Sequence, residues 1–146
     1  MSKTEIVKFD DYKEGDSASC SKTITEADVT LFAGISGDFN PLHVNEEFAK
    51  TQMFGKRVVN GAFSSALISA VLGVHMFGAG ALYASQKVVF KKPVYIGDTL
   101  TAVATITKKY TKEGKSGTLQ FLEVDTKVLN QNKEVVTDGE AQVIIM

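Results

Sequence analysis

Scarcity bounds this chain before any motif does. Its 146 residues include one cysteine, two prolines and no tryptophan, and 16 Lys and Arg set against 17 Asp and Glu leave a formal net charge of -1. A single thiol excludes an internal disulfide, and no C-x-x-C spacing surrounds Cys20, which leaves it a packing role. A nearly neutral chain has no surplus of cations to neutralise phosphates, so nucleic acid is not an expected partner. No stretch of roughly eighteen residues is apolar throughout, and the opening MSKTEIVKFDDYKEG has no apolar h-region. Neither a membrane span nor export is expected, and the expected location is the cytoplasm. Internal repeats and low-complexity segments are missing as well.

What is present is ample apolar material. With 44% hydrophobic residues, the chain can bury about two-thirds of its unfolded surface in one domain, residues 1–146. A first strand fits residues 17–24. Thr25 then caps a helix reaching about Ile35, with Val29, Leu31, Phe32 and Ile35 at helical spacing and a stop at Ser36-Gly37. Asn45 can cap a second helix over 46–53, and 56–59 reads as an extended link. Gly61 opens a helix with Phe63, Ala66, Leu67, Ala70, Val71 and Val74, apolar over most of its circumference and therefore buried. From Ala81 onward four long strands are separated by hairpin signals at 96–98, 112–115 and 130–133, with Leu100, Ala102, Ala104 and Ile106 alternating against threonines. The economical architecture is α+β: an antiparallel sheet wrapped around one long central helix.

The chemistry concentrates in Ser36-Gly37-Asp38-Phe39-Asn40-Pro41-Leu42-His43, which sets a carboxylate and an imidazole five residues apart around an Asn-Pro turn. Gly37 permits a tight backbone path, while Pro41 fixes its own φ and pushes Asn40 into an extended conformation. Asp38 and His43 therefore do not share one helix face. They flank a turn that can bring both side chains to one point. His titrates near neutral pH, and a partly buried Asp is raised toward it, which suits proton transfer in both directions. The same run can also build a plain Asx turn beside a structural histidine, and the residues alone leave both readings open.

Other polar features carry less. Neither Ser64 nor Ser36 stands in a G-x-S-x-G elbow, which argues against a Ser-His-Asp hydrolase. Gly73, Gly78 and Gly80 lack the pattern of a phosphate loop and are read as ending the helix. His75 near the end of the central helix is placed as a cation favoured by the helix dipole. Lys87, Lys91 and Lys92 lie on the strand before Pro93, either as surface lysines or as partners for ligand phosphates. The run 108–115 reads as a solvated hairpin tip.

The segment ISGDFNPLHVNEEFA, residues 35–49, resembles the signature of the MaoC-like, (R)-specific enoyl-CoA hydratase family, in which a G-D-x-N-P-x-H run carries the catalytic Asp and His. Two further motifs follow in family order: VVNGAFS at 58–64 resembles the start of the family's buried helix, and FKKPVYIGDT at 90–99 its F-x-x-P-V-x-x-G-D-T segment. Asn60 stands where His is frequent in the family, and Ala62 where a larger residue such as Met is frequent. The resemblance implies the hot-dog fold, a homodimer or higher homo-oligomer, and reversible addition of water to a trans-2-enoyl-CoA, with no cofactor and no metal. It assigns catalysis to Asp38 and His43, and stabilisation of the thioester oxygen to the backbone N–H at Gly61; a helix N-terminus offers unpaired donors there. Ser64 is implied beside the pair, Asn40 orients it, and Asn60, Ala62 and Phe63 are placed at the substrate. Which of Asp38 and His43 is base and which is acid stays open. Two rival expectations are a hot-dog acyl-CoA thioesterase and a non-catalytic acyl-CoA binding module.

Overall fold

The alternating positions of strand β3 become the floor of the core. In the computed structural model, which describes residues 6–114 and 117–146, Leu100, Ala102, Ala104 and Ile106 are each no more than 1% exposed. They lie on β3 (Thr99–Gly114), which pairs with β1 (Ser17–Thr23) on one side and β4 (Gly117–Leu129) on the other. β5 (Val135–Ile145) follows β4, and β2 (Ala81–Phe90) closes the far edge, giving an antiparallel sheet in the order β1-β3-β4-β5-β2. Leu122, Val124, Val128, Val136, Val143 and Ile145 continue the apolar face across the sheet.

Against that face packs α4 (Gly61–Ala70), prolonged without a break by a π-helical segment, Val71–Met76. Phe63, Leu67, Ile68, Val71, Leu72 and Met76 are buried. The expectation of burial around most of the circumference is corrected: Ala66 and Val74 are exposed, as are Ala62, Ser69, Gly73 and His75, because five strands cover one side of the helix only. No helix among the described residues is long and apolar enough to cross a membrane.

The segments before α4 form a polar shoulder. Thr25 caps α1 (Glu26–Ser36) in a full capping box with Asp28, and Gly37 ends it at φ 74°, a left-handed conformation that glycine adopts without strain. The apolar spacing misjudged the helix's orientation. Val29 and Ala33 are buried and Phe32 packs on the core, whereas Leu31 and Ile35 are exposed. The second helix stops at Lys50 rather than Met53 (α3, Glu46–Lys50). A four-residue helix, α2 (Pro41–Val44), precedes it with proline at its first position.

Two hairpin signals hold and one is redirected. β4 turns into β5 at residues 130–133, with Lys133 at φ 61°, and the β3–β4 hairpin narrows to the Gly114/Gly117 pair; Lys115 lies outside the described residues. The turn at 96–98 does not join adjacent strands. β2 pairs with β5, so residues 91–98 cross from the sheet edge to β3, tied to β1's end by Gly97 N–H on the Ile24 carbonyl and to α4's approach by Val59 N–H on the Val94 carbonyl, both at 2.8 Å. Lys91 and Lys92 accordingly lie beyond the strand. Lys109, expected on a solvated tip, is pinned by its Nζ to the carbonyls of Phe9 and Tyr12 at 2.8 Å.

Gly139 shows how tightly β5 meets the edge strand: a Cβ placed there would lie 2.1 Å from the Lys87 carbonyl oxygen and 3.0 Å from Gln86 Nε2. Backbone, not a flexible side chain, occupies that space. Gly139→Ala is expected to separate β2 from β5 locally and to lower stability by about 2–3 kcal/mol, measured by denaturant unfolding.

Candidate active site

A chain of short hydrogen bonds shapes the Asn-Pro turn. Beyond α1, Asp38 Oδ1 accepts the Asn40 N–H at 3.3 Å, Asn40 Oδ1 accepts the Leu42 N–H at 3.0 Å, and the His43 N–H meets the Asn40 carbonyl at 2.8 Å. Asn40 has φ -54° and ψ 129°, the extended conformation that a following proline favours. The turn thus folds Asp38 back over α2, and Asp38 Oδ2 comes to 3.6 Å from His43 Nε2.

The segment before α4 holds this turn from behind. Val58 N–H bonds to the Leu42 carbonyl at 3.1 Å, and the Val58 carbonyl meets His43 Nδ1 at 2.7 Å. A carbonyl accepts only, so Nδ1 carries the proton and Nε2 is the ring nitrogen that faces Asp38. Arg57 braces the same junction, donating to Glu26 of α1 at 2.6 and 2.8 Å and to Glu46 of α3 at 3.0 Å. Its own pKa is raised by the two carboxylates, Glu26 first.

Asn60, next to α4, completes the environment of the carboxylate. Its Nδ2 donates to Asp38 Oδ2 at 2.7 Å, while its Oδ1 is buried without a hydrogen-bond partner among the described residues. An orphaned acceptor of this kind costs about 1–3 kcal/mol. The expected upward shift of Asp38 is reversed. The Asn60 amide first, then the Asn40 N–H and the charge of His43, hold the carboxyl below the usual range, outweighing burial because the side chain is 46% exposed.

Beside His43 opens a cavity of about 380 Å³, lined by His43, Phe54, Val58, Val59, Gly61, Ser64, Phe90, Lys91, Lys92, Pro93, Val94 and Thr137. Gly61 and Ser64 share this lining with His43. Gly61 is the first residue of α4, where a backbone N–H has no carbonyl within the helix. The ring of Phe90 lies 3.0 Å from where a Cβ would stand, so glycine permits this approach. The other candidates are placed elsewhere. Phe63 is in the core with its ring edge-on to Phe32, Ala62 is exposed, Asn40 shapes the turn, and Asn60 is 2% exposed and absent from the lining. Lys92 is ion-paired with Glu134, and Lys91 stands on the cavity wall.

A larger hollow of about 640 Å³ lies on β2, β4 and β5 among Glu123, Asp125, Asp138 and Glu140. It lacks histidine, and Lys87 and Lys127 pair with Glu140 and Asp125. The smaller cavity is the one that carries an imidazole. Among the described residues no group of three or more His, Cys, Asp or Glu is placed to hold a metal ion.

A five-stranded antiparallel sheet packed against one side of a central helix is the hot-dog architecture of the R-hydratases. The chain belongs to the MaoC-like family, whose domain model matches residues 12–132. It is 47% identical over 137 residues to an (R)-specific enoyl-CoA hydratase of Rhodospirillum rubrum, covering 94% of this chain and 90% of the relative. Among solved structures, the R-hydratase PhaJ1 from Pseudomonas aeruginosa superposes with a TM-score of 0.85 at 34% identity, over 94% of this chain and 84% of that one. The (R)-hydratase from Aeromonas caviae gives 0.82 at 33% identity, over 90% and 96%.

Two outcomes follow from the geometry. The fold favours ionised Asp38, so this carboxylate adds stability above the unfolded carboxyl pKa of about 4, and that contribution is lost as the pH falls through the lower folded value. The stability gap between wild type and Asp38→Asn should therefore narrow on acidification, as followed by urea unfolding at several pH values. Arg57→Met is expected to cost about 1–2 kcal/mol at low salt, and less at high salt, by releasing α1 from α3.

Proposed function

We propose that this chain is an (R)-specific enoyl-CoA hydratase, a hydro-lyase that adds water reversibly to a trans-2-enoyl-CoA to give an (R)-3-hydroxyacyl-CoA, with residues 1–146 acting as one domain. The observation that carries the reading is the approach of Asp38 Oδ2 to His43 Nε2, 3.6 Å apart beside a cavity that also holds the first residue of α4. The handedness of the product is that named for the relatives.

In this mechanism the carboxylate of Asp38, which has no proton to give, accepts one from water as the water oxygen bonds to C3. Protonated His43 delivers its Nε2 proton to C2 as the carbon–carbon π bond breaks. The charge that passes through the thioester oxygen is met by the Gly61 N–H, with the helix dipole behind it. The proton then on Asp38 returns to His43 across the short gap, restoring both groups. The Val58 carbonyl keeps the imidazole oriented throughout, and Ser64 supplies a polar contact on the cavity wall.

A homodimer accompanies this reading. β2 is an edge strand with one neighbour in the sheet, and the uncovered side of α4 and its π-helical extension is small-surfaced at Ala62, Ala66, Ser69 and Gly73. A second copy pairing along β2 would extend the sheet and cover that side. A cytoplasmic location and a free acyl-CoA as substrate complete the proposal.

With crotonyl-CoA, loss of the conjugated enoyl thioester absorbance should be rapid for the wild type and at least ~100-fold slower for Asp38→Asn or His43→Gln, with the fold retained by circular dichroism. Full activity in either variant sinks the mechanism. Release of free thiol without a 3-hydroxyacyl product would make the protein a thioesterase instead.

A further inference from the structure

Three asparagines occupy the N-caps of α2, α3 and α4, and two of them do what that position favours. Asn40 Oδ1 accepts the Leu42 N–H and Asn45 Oδ1 accepts the Phe48 N–H, each at 3.0 Å. Asn60 does not. Its side chain makes no cap bond to α4, and the Phe63 N–H goes to the Asn60 backbone carbonyl at 2.9 Å. The amide is turned away from the helix, with Nδ2 on Asp38 Oδ2 at 2.7 Å and Oδ1 left buried with no partner among the described residues. A carboxylate offers only acceptors, so the NH2 end must face it, and the orphaned Oδ1 follows from that choice. A local rule broken at a stability cost, with no gain to the helix, marks a residue kept for the site rather than for the fold.

We propose that Asn60 is a positioning residue for the Asp38–His43 pair: its carboxamide, withheld from helix capping, clamps the Asp38 carboxylate in the orientation that faces His43 Nε2. The inference rests on the acid–base reading of that pair. Asp38 Oδ2, the oxygen that Nδ2 holds, is the one 3.6 Å from Nε2, while Oδ1 is taken by the Asn40 N–H. Each oxygen has one donor, and the carboxylate plane is set from both ends. Neither Asn60 nor Asp38 is among the residues that line the cavity, and Asn60 reaches the pair through its bond to Asp38. The lowered proton affinity of Asp38, whose largest cause is this bond, points the same way.

The test compares Asn60→Leu, Asn60→Asp and Asn60→His with Asp38→Asn, in crotonyl-CoA hydration from roughly pH 5 to 9, with thermal unfolding of the same samples. Asn60→Leu keeps the volume but removes both the donor and the orphaned acceptor. Its kcat should fall ~10–100-fold with KM changed less than about threefold and with no loss of thermal stability, a split that a cap or packing residue would not produce. Asn60→Asp sets a second carboxyl against the first and should move the acidic limb of kcat to higher pH. Asn60→His restores an N–H donor and should recover most of the activity lost in the leucine variant. Wild-type kcat in Asn60→Leu, together with an unmoved acidic limb in Asn60→Asp, overturns the proposal while leaving the acid–base reading intact, provided that Asp38→Asn is inactive. Full activity in Asp38→Asn removes both. Should the leucine variant fail to fold, the pH profile of Asn60→Asp decides.

Discussion

The bond from His43 Nδ1 to the Val58 carbonyl is the constraint on which the site depends. It joins two stretches far apart in function: a polar turn that leaves α1, and an extended link that enters the buried helix. Once it is made, the imidazole has one tautomer and one face to offer. The parallel bond from Val58 N–H to Leu42 keeps the turn from rotating about that single point, and Arg57, bound to carboxylates on α1 and α3, keeps the two short helices from drifting apart. The imidazole, and the turn that carries Asp38, are therefore placed by backbone bonds and by a salt-bridged brace.

The buried helix contributes in a second way. Its first residue has no side chain, which lets the Phe90 ring close over the helix end, and that residue lines the cavity beside the imidazole. The sheet makes this possible because β3 presents alanines at 102 and 104, between Leu100 and Ile106, so that the helix is seated on a shallow floor. The fold and the cavity are linked through that seat: whatever moves α4 relative to β3 moves Gly61 and Asn60 together.

Much of this was readable in advance, for identifiable reasons. Thr25, Gly37, Pro41 and Asn45 act through local rules of capping and backbone freedom, so they announce helix ends from sequence alone. The alternation at 100–106 did the same for β3. What escaped reading was set by partners distant in the chain. The turn at 96–98 looks like a hairpin because a hairpin and a crossover turn need the same residues; only the pairing of β2 with β5 separates them. Leu31 and Ile35 have helical spacing but point away from the core, since spacing gives a face and not its direction. Asp38 was expected to be raised by burial. Nothing local to 36–43 reveals that an amide at position 60 would supply the dominant opposing bond. The one hint was a lone polar residue between Val59 and Gly61 in an otherwise apolar approach.

The π-helical end of the central helix has a consequence for which side chains enter the core. Phe77 N–H reaches back to Leu72 at 3.0 Å, five residues instead of four, so that this stretch holds one residue more than an α-helix ending at the same place. An unbroken α-helix would carry the inward stripe from Val71 and Leu72 to Val74 and His75. The wider turn skips them, leaving a titratable ring in water and delivering Met76 and Phe77, 4% and 1% exposed, to the interior. In effect the helix absorbs an insertion, and the apolar stripe resumes in phase on the other side of it.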